Sequence, residues 1–82
     1  MAAKHDDLAE LFGYLVMKER KRQGLSQMAL AEKAKMHLNV LSNLERGMRT
    51  PSLHTVLRVS RGLGVKASDL IARIEKDPSL CD

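Results

Sequence analysis

The chain is expected to fold as an all-α domain of five helices. Three observations predict this. Apolar residues recur three and four positions apart in five separate runs. Cap residues and glycine or proline stops bracket most of those runs. No stretch alternates apolar and polar residues long enough to form a strand. The 82 residues suffice for one domain, spanning 1–82, and not for two.

The first run, Leu8, Leu11, Phe12, Leu15 and Val16, follows one face of a helix. Asp7 with Glu10 three residues on has the form of a capping box, so this helix is expected from about residue 7 to Gln23, with Gly24 as its left-handed stop. Lys18, Arg20, Lys21 and Arg22 load its last turns with positive charge, which the helix dipole favours. Ser26 is the next cap, opening a short helix from Gln27 to Ala34 with Leu30, Ala31 and Ala34 inward. A third helix is expected over Leu38–Arg46, with Leu41 and Leu44 inward and Gly47 as its stop. Thr50-Pro51-Ser52 then makes a turn and a cap, from which a fourth helix, Leu53–Leu63, buries Leu53, Val56, Leu57 and Ser60. Gly64 ends it. A fifth helix, about 67–76, presents Leu70, Ile71 and Ile74 before Pro78 stops it, leaving 77–82 as a tail.

Composition narrows what the domain does. Hydrophobic residues make up 44% of the chain and charged residues 29%, ordinary for a folded domain. The uninterrupted apolar stretches, such as Leu15-Val16-Met17, run to no more than four residues and are too short for a membrane span or a signal-peptide core. One cysteine, Cys81, rules out an internal disulfide, so a cytoplasmic location is expected. Phe12 and Tyr14 are the only aromatic residues, which disfavours the stacking platforms of single-stranded nucleic-acid binders. The charge is unevenly spread. Lys18 to Lys66 holds 11 basic and 3 acidic residues, net +8, while the flanks hold 3 basic and 7 acidic, net −4. A basic middle between acidic ends points to a polyanion partner.

The second and third helices, joined by about three residues over 26–46, cross steeply only if the crossing is made of small and medium apolar residues. Ala31, Ala34, Met36 and Leu41 supply these. The outer face of the third helix is then free and convex, with Leu38, Asn39, Ser42 and Asn43 along it. A helix about 10–12 Å across fits the major groove of B-form DNA and not that of A-form RNA.

From Arg20 through Leu70 the sequence resembles the lambda-Cro/C1-type helix-turn-helix family, also called the Xre family of bacterial and phage regulators. The residues that carry the resemblance are Arg20, Gly24-Leu-Ser-Gln27, Leu30-Ala31, Ala34, Leu41, Leu44-Glu-Arg-Gly47, Pro51-Ser-Leu53 and Leu63-Gly-Val65. Ala34-Lys-Met-His37 and Leu44-Glu-Arg-Gly-Met-Arg49 are also similar to the small controller proteins of restriction-modification systems. The resemblance implies a five-helix Cro/C1-type, lambda repressor-like fold that binds double-stranded DNA. It implies a phosphate contact for Gln27, base-edge contacts for Leu38, Asn39, Ser42 and Asn43, and phosphate contacts for Arg46, Arg49 and Lys35. It also implies an internal salt bridge between Arg20 and Glu45. Asn pairs bidentately with adenine, and Leu covers a thymine methyl.

Each assignment has a plainer competitor: Gln27 and Ser26 as caps only, Asn39 and Asn43 as solvated helix surface, Leu38 as a stray apolar residue, Arg46 and Arg49 as a solvated patch. The sequence also departs from the family pattern. Lys35 stands at the corner where Gly is commoner, costing about 1–2 kcal/mol if the backbone there is left-handed. Met28 and Ala29 replace an early acidic residue, and His37 stands where Ser or Thr often caps the third helix.

His5, His37 and His54 lack ligand spacing and cysteine partners, so no metal or other cofactor is expected. Neither a phosphate loop nor a nucleophile elbow is present, so the chain is not expected to be an enzyme. The expected function is a sequence-specific transcriptional regulator. One short helix offers about four side chains to bases, so a homodimer on a two-fold-symmetric operator is expected, with half-sites roughly 34–36 Å apart. Val65, Leu70, Ile71 and Ile74 are the expected self-contact, against a role in completing the monomer core. No membrane and no small-molecule ligand are expected as partners. The alternative is a protein-interaction module, antitoxin-like or coactivator-like, in which Asn39 and Asn43 are silent and the last helix decides.

Overall fold

The computed structural model describes residues 5–77, with side chains from Leu8 onward. Five helices follow one another: α1 (His5–Arg22), α2 (Gln27–Ala34), α3 (Leu38–Glu45), α4 (Leu53–Leu63) and α5 (Ala67–Glu75), and no strand occurs among the described residues. The all-α reading holds. α1 begins two residues before the expected start, so Asp7 belongs to its first turns and is not its cap. Pro78 and Cys81, and the tail beyond Asp77, lie outside the described residues.

Punctuation in the sequence becomes geometry at the helix ends. The Ser26 and Ser52 hydroxyls accept from the backbone N–H of Ala29 and Thr55 at 3.0 and 3.1 Å, capping α2 and α4. His37 occupies the cap position of α3 with extended backbone and no side-chain bond, as its replacement of Ser or Thr leads one to expect. Lys35 ends α2 in the left-handed region at φ 56° and is the one non-glycine residue described there. The helix-turn-helix corner therefore carries the steric cost that a glycine would remove.

The core is built from Phe12 and Val16 of α1, Leu30 and Ala31 of α2, Leu41 and Leu44 of α3, Val56, Val59 and Leu63 of α4, and Leu70 and Ile74 of α5. Two close backbone approaches set the angles between helices. A Cβ on Gly13 would stand 2.9 Å from the Glu45 carbonyl oxygen and closer still to that of Leu44, so α1 meets the end of α3 backbone to backbone. A Cβ on Gly62 would stand 3.0 Å from both the Ala34 Cβ and Leu30 Cδ1, so α4 lies directly on α2.

The second approach corrects the expected face of α4. With Gly62 against α2, the helix turns Val56, Val59, Ser60 and Leu63 inward. Leu53, the first helical residue, is left 74% exposed and Leu57 40% exposed. The buried Ser60 hydroxyl donates to the Val56 carbonyl at 2.7 Å, so its burial leaves no polar group unpaired. On α1 the inward stripe is Ala9, Phe12 and Val16, with Leu8 at its exposed margin.

α5 divides the four residues expected at the self-contact. Leu70 is wholly buried and Ile74 nearly so, within the chain's own core, and Val65 packs half-buried against it. An isolated short helix is unstable in water and needs its apolar stripe covered, and here the monomer covers it. Only Ile71 of the four expected residues stands outward, 41% exposed.

A carboxylate without a motif closes the α1 end of the bundle. Glu19 is 5% exposed, and its oxygens accept from Arg22 Nη2 at 2.6 Å and Gln23 Nε2 at 2.9 Å, with Arg73 Nη1 of α5 at 4.0 Å. The hydrogen bonds from Arg22 and Gln23 outweigh the opposing desolvation and hold its pKa at about 2. Gln23 Nε2 also donates to the Leu63 carbonyl at 2.7 Å, tying the end of α1 to the end of α4.

Candidate nucleic-acid interface

Helical geometry sorts the eight residues of α3 into two faces. Leu41 and Leu44 point into the core. Leu38, Asn39 and Asn43 are exposed on the other side and Ser42 is half-buried beside them. The expected reading surface is thus one continuous convex face.

What orients that face is a polar network on the inner side of α3. Glu45, its side chain only 3% exposed, accepts from Arg20 Nε at 2.7 Å and from Arg20 Nη2 at 3.1 Å, a bidentate pair. The third Arg20 nitrogen, Nη1, donates to the Leu25 carbonyl at 2.8 Å, which anchors the loop before α2. Gln27 Nε2, on the first residue of α2, donates to Glu45 Oε1 at 2.9 Å. One carboxylate therefore joins the end of α1, the start of α2 and the end of α3. The Gln27 link has no counterpart in the sequence reading, which treated Gln27 and Glu45 separately. Their 18-residue separation gives no local signal that they meet.

This link also limits what Gln27 does. An amide has two N–H donors, and one is taken by Glu45. The other has no partner among the described residues and stands at the N-terminus of α2, where backbone N–H groups also favour an anion. The side chain is half-buried, held from behind and open in front.

The other expected phosphate ligands lie around the two ends of α3. Arg49 lines a depression between α3 and the start of α4, together with Val40, Asn43, Thr50, Ser52 and Thr55. Arg46 is exposed at the α3 C-cap, and Lys35 is exposed at the corner. Neither Arg46, Arg49 nor Lys35 makes an ion pair with a described acidic residue. Among the described residues, no group of three or more His, Cys, Asp or Glu side chains is placed to hold a metal. No described helix is long and apolar enough to cross a membrane.

Comparison with known proteins agrees with this arrangement. A family model described as helix-turn-helix matches residues 16–70. The chain is 37% identical over 62 residues to the control protein C.BamHI of Bacillus amyloliquefaciens, covering 74% of this chain and 76% of that protein. It is 34% identical over 73 residues to the control protein C.MunI of a Mycoplasma species, covering 88% and 99% respectively. Among solved structures, the restriction-modification controller protein C.AhdI of Aeromonas hydrophila matches with a TM-score of 0.72 and 31% identity, over 78% of this chain and 96% of that one. With its five helices, its braced third helix and its match across α1 to α5, this chain belongs to the helix-turn-helix family of DNA-binding transcriptional regulators.

Proposed function

We propose that the chain is a sequence-specific regulator of the controller type, which reads the major groove of double-stranded DNA with α3 and acts as a homodimer on a two-fold-symmetric operator. The observation that carries the reading is the Arg20–Glu45–Gln27 network. It fixes the roll of α3 and the position of an anion-facing amide from the same carboxylate. A reading helix needs both: phosphate contacts set its register, and base contacts then specify.

Asn39 and Asn43 take the base-edge roles, with Ser42 as an adaptable donor or acceptor and Leu38 against a thymine methyl. Gln27 holds a phosphate at the start of α2, and Arg46, Arg49 and Lys35 hold phosphates on either side of the groove. The self-contact is shifted from the buried residues of α5 to the apolar surface beside them. Leu8, Pro51 and Ile71 rim a depression floored by Phe12, Val56 and Ile74. Leu53, at the start of α4, adds to the exposed apolar area. A second copy covering this surface relieves its exposure and pairs two half-sites.

Selection from a random duplex pool at near-physiological salt, with sedimentation of the purified chain, tests the reading. Enrichment of a two-fold-symmetric motif by a dimeric species is the expected result. A monomer that enriches nothing would mean that α3 does not read DNA and that the fold serves a protein partner.

A further inference from the structure

We infer that the basic groove between α2 and α4 is a second track for the DNA backbone, which extends contact beyond the half-site read by α3. The inference rests on the DNA-binding reading above and adds residues to which that reading gives no role.

Three depressions run into one another on this side of the molecule. The one containing Arg49 shares Val40 and Thr55 with a second, which reaches from the first turn of α3 to Lys35 and Arg58. That second depression shares Lys35 and Arg58 with a third, which continues to Lys33 and Arg61. From Ser52 to Arg61 the path follows α4 for about 14 Å, at about 1.5 Å per residue. The continuity favours one long ligand that is already present at the reading helix. A separate acidic protein would need no connection to that helix.

The charges along the path have the matching sign and are available. Lys33, Lys35, Arg58 and Arg61 are all exposed, and none pairs with a described carboxylate, while Glu32 is the one acidic side chain on the rim. Arg20 and Arg22, by contrast, are drawn into pairs with Glu45 and Glu19. Arg58 is also positioned, since its Nη1 donates to the Lys35 carbonyl at 2.9 Å across the mouth of the groove. A guanidinium has five N–H donors, so a single internal bond orients the group and leaves the others for phosphate oxygens.

The test compares the full chain with Lys33→Gln/Arg61→Gln, which alters two side chains that make no bond within the fold. Each is titrated over a range of salt against two duplexes: the selected operator alone, and the same operator lengthened by about one helical turn at each end. The wild-type chain is expected to bind the longer duplex more tightly and with a steeper salt dependence. The double variant should lose that increment, about 0.9 in log–log slope for each phosphate contact removed, with its base preference unchanged. Equal slopes and affinities for the two proteins on the longer duplex would overturn the inference while leaving the reading helix intact. A variant that binds both duplexes like wild type but fails to regulate a reporter would assign the groove to an acidic protein partner and overturn it too. A wild-type chain without preference for any duplex would overturn the DNA reading and this inference together.

Discussion

α3 and α5 are close in length, eight and nine residues, and each buries two large aliphatic side chains, yet the fold holds them by different means. α3 is fixed by directional contacts: the Glu45 carboxylate with three hydrogen bonds, and the close approach of α1 at Gly13. α5 is held by Leu70 and Ile74 in the core and Ala67 packed against it, with the long Arg73–Glu19 contact at its edge. Directional bonds set orientation, whereas apolar burial is non-directional and mainly sets stability. The surface proposed to match base edges is the one whose roll is specified. The surface with exposed Ile71 has only to present apolar area.

The contrast is broken most severely at Glu45. Glu45→Ala leaves Arg20 buried without its partner and should cost about 3–5 kcal/mol in urea unfolding. It should also weaken operator binding beyond that, because Gln27 loses its anchor. Leu70→Ala should cost a comparable 2–5 kcal/mol, roughly, through the cavity it leaves. Ile71→Ala, one residue away, should stay within about 0.5 kcal/mol for folding while raising the dimer dissociation constant in sedimentation. If Ile71→Ala unfolds the chain and Leu70→Ala only separates dimers, the assignment of the two faces is reversed.

The corner of the helix-turn-helix gives a gain and a loss in one substitution. Lys35→Gly should raise stability by about 1 kcal/mol by relieving the left-handed backbone, and should weaken all duplexes alike by removing a proposed phosphate ligand. Thermal melts and titrations at two salt concentrations read the two effects separately.

The smallest effect concerns pH. The carboxyl of Glu19 is held at about 2 in the fold, below its ordinary value of 4.5. A depressed pKa contributes stability that is fully present above the unfolded value and is lost as pH falls through the folded one. The melting temperature should therefore decline between about pH 5 and pH 2, and Glu19→Gln should flatten part of that decline. An unchanged profile in Glu19→Gln would remove Glu19 from the account.

Local signals were legible in the sequence, and interactions across the chain were legible only in part. α2 and α4 lie where Ser26, Ser52 and Gly64 place them, because caps and stops act within a turn of the backbone. The pairing of Arg20 with Glu45 entered through the family resemblance, since nothing local connects residues 25 apart. The inward face of α4 was misread at Leu53 and Leu57 because periodicity gives the spacing of a stripe and not its rotation. Gly62 against Ala34 sets that rotation, and a glycine within a helix looks like a weak point until its neighbour is known. The residues of the self-contact were not separable for a related reason: Leu70, Ile71 and Ile74 all fit one stripe, and packing decides which the monomer buries.

The most direct test of the central claim is to repeat the duplex selection with Asn43→Ala. If α3 reads bases from a braced platform, the variant should fold normally, retain most non-specific affinity, and lose preference at one symmetry-related pair of positions by about 1–3 kcal/mol. Enrichment of the same motif with the same weights at every position would contradict the claim that the outer face of α3 reads the operator.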